Sequence, residues 1–143
     1  MSVASKLTAV PDVARALPWV ARAKWRLRQT RDLRELVAAH DRSVHPGRAR
    51  SIPHLRRGVD GALRIVGPHE EHCVPRALAL FALLTRAGYN AEFVSGVRKV
   101  GDDVRGHAWV LVDDQPVERH GALDPRATYR EQFRIASANP RSG

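Results

Sequence analysis

At 143 residues, 43% of them apolar, the chain is sized for one domain with its own core. Its formal charge of +9 asks for an acidic partner. Nucleic acid is the obvious candidate, but there is no groove-reading motif and no aromatic stacking platform; an acidic peptide or partner protein accounts for the charge equally well, and charge alone does not choose. No stretch approaches the roughly 20 apolar residues of a bilayer span. The N-terminal stretch to Val13, broken by Lys6, Pro11 and Asp12, has no signal-peptide pattern. A lone cysteine rules out an internal disulfide, so a reducing, cytoplasmic setting is expected.

In chain order, residues 1–11 read as a frayed start. A helix is predicted from Asp12, which can cap it, because Val13, Leu17, Val20 and Ala21 recur at spacings of three and four. Pro18 lies inside that pattern and is expected to kink or split it. Trp19 and Trp25 fall off the stripe among Arg15, Arg22, Lys24, Arg26 and Arg28. They mark either a solvated basic face or a docking surface. A second helix is predicted from about Asp32 to His40, then a loop from Asp41 to Pro53. A third, from about Ile52 to Val66, has an apolar stripe of Leu55, Val59, Ala62, Leu63 and Val66. Gly58 and Gly61 weaken it, and Gly67-Pro68 ends it.

The polar run His69-Glu70-Glu71-His72 stops at Cys73, and an apolar helix starts there. Pro75 suits a first helical turn, and Gly88 supplies the stop. The residues between are apolar on nearly every side, as in a helix buried at a domain's centre. Beyond Gly88 the period changes to that of strands. Ala91–Val97 alternates, Arg98–Arg105 reads as a polar loop, and Gly106–Val112 and Pro116–Glu118 flank a turn at Asp113-Asp114-Gln115. The tail from Tyr129 to Ile135 is expected to pack as a helix or loop through Tyr129 and Phe133. Helices followed by antiparallel strands define an α+β layout. The expected division is a basic helical segment over 1–50, suited to partner docking, and a core over 51–143.

Three residues could form a chemical centre. Cys73 at a helix N-terminus gains from the dipole and free backbone N–H groups, which favour a thiolate and a neighbouring oxyanion. Of seven histidines, His107 is the one that opens a strand beside the buried helix, where a general base is held rigidly. Trp109 has the same parity and is placed to shield that site. With a two-residue turn, Glu118 projects on the same face as His107; a three-residue turn removes it. Asp113 and Asp114 read more simply as turn residues, and Asp124, before Pro125, as a loop residue. The bland alternatives are a buried structural cysteine, a structural histidine and a solvated loop, or a metal held by His69, His72 and Cys73.

Cys73-x-x-Arg76-Ala77-Leu78-Ala79-Leu80 leading to Gly88, then Gly96-Val97 and His107-Ala108-Trp109-Val110, resembles the transglutaminase-like (papain-like) cysteine peptidase superfamily. Within it the pattern is most similar to the leader peptidases of lasso peptide biosynthesis, over roughly Leu55 to Val117. The resemblance implies a Cys-His-acid triad. Cys73 and His107 match directly, and Glu118 stands where an acid or amide is expected. It implies no metal and no cofactor. It also implies a precursor peptide substrate, a separate leader-binding protein, and an ATP-dependent lasso cyclase that receives the freed core peptide. The competing expectation is a peptide- or protein-binding module that keeps the fold without catalysis. A weaker one is an RNA-associated basic protein, marked by steep salt dependence.

Overall fold

The computed structural model describes residues 3–43, 50–66, 73–118 and 121–138. Its elements, in order, are α1 (Val3–Gln29), α2 (Leu33–His40), α3 (Ile52–Val66), α4 (Cys73–Arg86), β1 (Ala91–Val100), β2 (Asp103–Val112), β3 (Gln115–Pro116), α5 (Pro125–Thr128) and β4 (Arg130–Ala136).

Helix α4 is the axis of the domain. From Pro75 to Thr85 every residue is buried, Arg76 and Thr85 included, as the apolar run from Ala77 to Leu84 demands. Helices α1, α2 and α3 cover it with Ala16, Val20, Leu36, Val37, Val59 and Ala62, while Phe93, Ala108, Val110 and Val112 of the sheet close the other side. Helices and sheet therefore share one core. The helix stops where expected. Gly88 takes φ +92, Tyr89 N–H donates to the Leu84 carbonyl at 3.0 Å, and Gly88 N–H donates to that of Thr85 at 3.1 Å. Both bonds satisfy carbonyls that the helix end would otherwise leave unpaired.

Helix α1 departs from expectation. It is helical from Val3 and runs through both Pro11 and Pro18 without a break. Both prolines are exposed, as is Ala14, whose carbonyl loses its partner at Pro18, so water can solvate what the ring leaves unpaired. Asp12 accordingly lies inside the helix rather than capping it. Gly58 and Gly61, weak points in an isolated helix, are where α3 meets α1. A Cβ at Gly58 would collide with the Asp12 carbonyl, and one at Gly61 with the Val13 side chain. Asp32 does cap α2, accepting from Arg34 N–H at 3.0 Å.

The sheet is antiparallel with strand order β3-β2-β1-β4. β1 and β2 pair from Ala91↔Val112 to Val100↔Asp103. The stretch expected to loop from Arg98 to Arg105 is therefore strand on both sides of a tight turn at Gly101-Asp102. Gly101 accepts φ +61 there, and pairing satisfies the backbone despite the exposed charged side chains. The tail is also corrected: residues 130–136 form β4, which pairs with the free edge of β1, with a register shift at Ser95/Gly96. Phe133 and Ile135 alternate with exposed residues, a period of two that fits a strand and not a helix.

Candidate active site

Cys73 is the first residue of α4, half-buried, with Pro75 in the first turn behind it. His107 lies in β2 opposite Gly96 of β1. After β2, Asp113 and Asp114 both adopt positive φ, 50° and 64°. They form the two-residue turn that sets Val112 against Gln115 and Leu111 against Pro116. Val117 N–H extends the ladder to the Val110 carbonyl at 2.9 Å. Alternation then brings Glu118 to the face that carries His107.

The outcome is a line of three side chains. His107 Nε2 stands 3.5 Å from Glu118 Oε1, with the two side chains only 25% and 15% exposed. That separation is an electrostatic contact at the outer limit of a hydrogen bond, and Oε1 has no closer hydrogen-bond partner among the described residues. Cys73 engages the imidazole as well.

The electrostatics follow from this placement. The hydrogen bond with Cys73, then that with Glu118 and the carboxylate's charge, raise His107 to about 9 against the opposing effect of burial. Burial alone would push the Cys73 thiol up. The His107 hydrogen bond, the Ala108 backbone, the charge of the imidazole and the Val74 backbone outweigh it, and the thiol lies below its ordinary value. Such a pair favours thiolate and imidazolium, a nucleophile beside a proton donor.

Aromatic rings wall the imidazole. Tyr129 stacks on it at 4.9 Å between centroids and 26°, and Trp109 at 5.8 Å and 23°. Arg98 lies over the Tyr129 ring at 5.5 Å. Gly96 makes room for Trp109, because a Cβ there would sit 2.8 Å from both Trp109 Cη2 and the Arg130 carbonyl oxygen. The parity of Trp109 with His107 was readable from sequence. Tyr129 was not, because it arrives from the far edge of the sheet.

Arg76 is the other residue with no role in the sequence reading beyond its place in the motif. It lies one turn after Cys73, is 5% exposed, and is held by Asp60 of α3. Nε donates to Asp60 Oδ1 at 2.7 Å and Nη2 to Oδ2 at 3.4 Å. Its Nη1 donates to the Val117 carbonyl at 3.1 Å, at the peptide that leads into Glu118. Arg56 Nη1 reaches the Glu118 carbonyl at 3.5 Å. A buried cation thus ties α3 and α4 to the segment bearing the carboxylate.

The other acids are engaged elsewhere. Asp113 and Asp114 form the exposed turn. Asp124 caps α5 and binds Arg126 Nη2 at 2.9 Å, which holds its carboxyl below the usual range. His69, Glu70, Glu71 and His72 lie outside the described residues, and so do the metal-binding alternative and any oxyanion donor among them.

A sequence model of the Transglutaminase-like superfamily matches residues 12–134, and the chain belongs to that superfamily. No curated protein and no solved structure matches it.

Proposed function

We propose that this member of the transglutaminase-like superfamily is a cysteine peptidase. Its substrate is a ribosomally made lasso peptide precursor, from which it removes the leader. The observation that carries the reading is the His107 imidazole, engaged by Cys73 on one side and by Glu118 on the other. The motif from Cys73 to Val110 supplies the choice of substrate, by its similarity to lasso leader peptidases.

In this reading the Cys73 thiolate attacks the scissile carbonyl at the leader–core junction, and the C=O electron pair moves to oxygen. Backbone N–H groups at the start of α4 stabilise that oxyanion; one good donor is worth roughly 3 kcal/mol. His107, which holds the thiol proton, passes it to the leaving amine as the C–N bond breaks, and an acyl-enzyme thioester remains. Water then attacks the thioester, His107 takes its proton and returns it to the departing thiol, and the carboxyl product leaves. Glu118 stabilises the imidazolium throughout and orients the ring. No metal or cofactor enters these steps.

The same reading places the protein in the cytoplasm, where its thiol stays reduced. It works there beside a separate leader-binding protein and delivers the core peptide to an ATP-dependent cyclase. The basic α1 segment, with Trp25 60% exposed, is the surface proposed for partner docking.

The test is mass spectrometry of the cognate precursor incubated with the protein, with and without the leader-binding partner, beside Cys73→Ala. Cleavage at one junction, absent in the variant, is expected. An intact precursor in every arm, bound by a folded protein, would leave a non-catalytic binding module on this fold.

A further inference from the structure

At the end of α4 remote from Cys73, Arg86 lines a cleft of about 210 Å³ together with Arg15 of α1 and Arg50, just ahead of α3. Leu55, Leu83 and Ala87 give the cleft an apolar wall. One carboxylate is present, that of Asp12, and it is already occupied. Its side chain is 9% exposed, Arg50 Nη1 donates to Oδ1 at 3.2 Å, and His54 Nδ1 lies 3.3 Å from Oδ2. Tyr89 Oη donates to the Arg50 carbonyl at 2.7 Å and fixes the backbone beneath it. Arg15 and Arg86 are exposed and make no hydrogen bond or ion pair with the described residues.

Two guanidinium groups without an ion-pair partner among the described residues, beside a third held by the Asp12 carboxylate, form a receptor for carboxylate oxygens. The apolar wall suits the aliphatic stem that carries such a group, and a small inorganic anion would leave it wet. We propose that this cleft is an exosite for acidic side chains of a peptide, and that the peptide is the substrate; the second half rests on the peptidase reading. The 14 residues of α4, at about 1.5 Å each, separate the cleft from Cys73 by roughly 20 Å. An acidic residue seated in it is therefore at least about six extended residues from the scissile bond.

The test uses the full chain carrying Cys73→Ala, so that binding is read without turnover. The probe is a short fluorescein-labelled peptide of alternating Leu and Glu, followed by anisotropy. Arg15→Gln/Arg86→Gln is expected to weaken binding about tenfold or more. Lys99→Gln/Arg105→Gln removes the same charge from exposed positions outside the cleft and is expected to change it less than about twofold. The Gln counterpart of the peptide should not bind. Equal loss in both double variants would assign binding to the diffuse field of the chain, and no loss in either would place the site elsewhere; each overturns the proposal. In the protein with Cys73 intact, the cleft variant should raise KM for a substrate carrying acidic residues and leave kcat unchanged. A cleft that binds while no peptide is cleaved would fail the peptidase reading alone.

Discussion

Arg76, which is buried, and Asp60, which is 16% exposed, form an ion pair with Nε to Oδ1 at 2.7 Å, and the same guanidinium holds the Val117 carbonyl at 3.1 Å. The pair reaches the candidate triad through that carbonyl, since Glu118 is the next residue. Replacing Arg76 by Met removes the cation and leaves Asp60, a partly solvated carboxylate, unpaired. Loss of one partner costs about 3–5 kcal/mol in a fully buried pair, and less than that here because water reaches Asp60. Urea unfolding should show that loss, and Arg76→Met/Asp60→Leu should recover most of it, because it removes both charges. The double variant still lacks the bond to Val117. It should therefore be stable and yet react differently at Cys73, a separation of effects that a purely structural pair would not show.

The raised His107 and lowered Cys73 define a pH window. The thiolate–imidazolium pair exists above the depressed value of the thiol and is lost as pH rises through about 9, where His107 gives up its proton. Peptide cleavage should follow a bell bounded by those two titrations, which belong to the pair. Glu118→Gln removes an adjacent negative charge, worth about one pKa unit at this separation. Its alkaline limb should move down by about that amount, with kcat/KM reduced. The same shift stabilises the fold: because the folded value of His107 exceeds its ordinary value of 6.5, its contribution is complete below 6.5 and disappears as pH rises through about 9.

Gly96 faces Trp109 Cη2 and the Arg130 carbonyl oxygen, each 2.8 Å from where a Cβ would stand. The carbonyl is backbone and the indole is 1% exposed, so neither can yield freely. Gly96→Ala should cost about 1–3 kcal/mol, read as a lower melting temperature. Because Trp109 and Tyr129 both stack against His107, the pH profile should shift as well.

Much of this arrangement was legible in the sequence. The Cys73 helix is marked by Pro75 and Gly88 at its ends and by the apolar run from Ala77 to Leu84 between them. The pairing of His107 with Glu118 depends on one local fact, a two-residue turn, and Asp113-Asp114 supplies it because aspartate tolerates positive φ. What stayed hidden depends on tertiary context. The charges of Arg98 to Arg105 suggest a loop, whereas a two-stranded ribbon carries them outward with its backbone paired. Gly58 and Gly61 look like helix defects until α1 lies across them. Tyr129 meets His107 because β4 adds to the far edge of β1, and no local pattern announces which edge a tail will take. Asp60 and Arg76 are 16 residues apart on different helices, so only the packed fold pairs them.

The most direct test of the central claim, that His107 activates Cys73, needs no substrate. Cys73 is the only cysteine of the chain, so the rate of its alkylation by iodoacetamide, followed by intact-protein mass spectrometry across pH, reports on that thiol alone. The account predicts alkylation with an apparent pKa below that of an ordinary thiol, and a return to ordinary behaviour in a folded His107→Asn variant. An ordinary profile in the wild-type chain, unchanged in the variant, would contradict it.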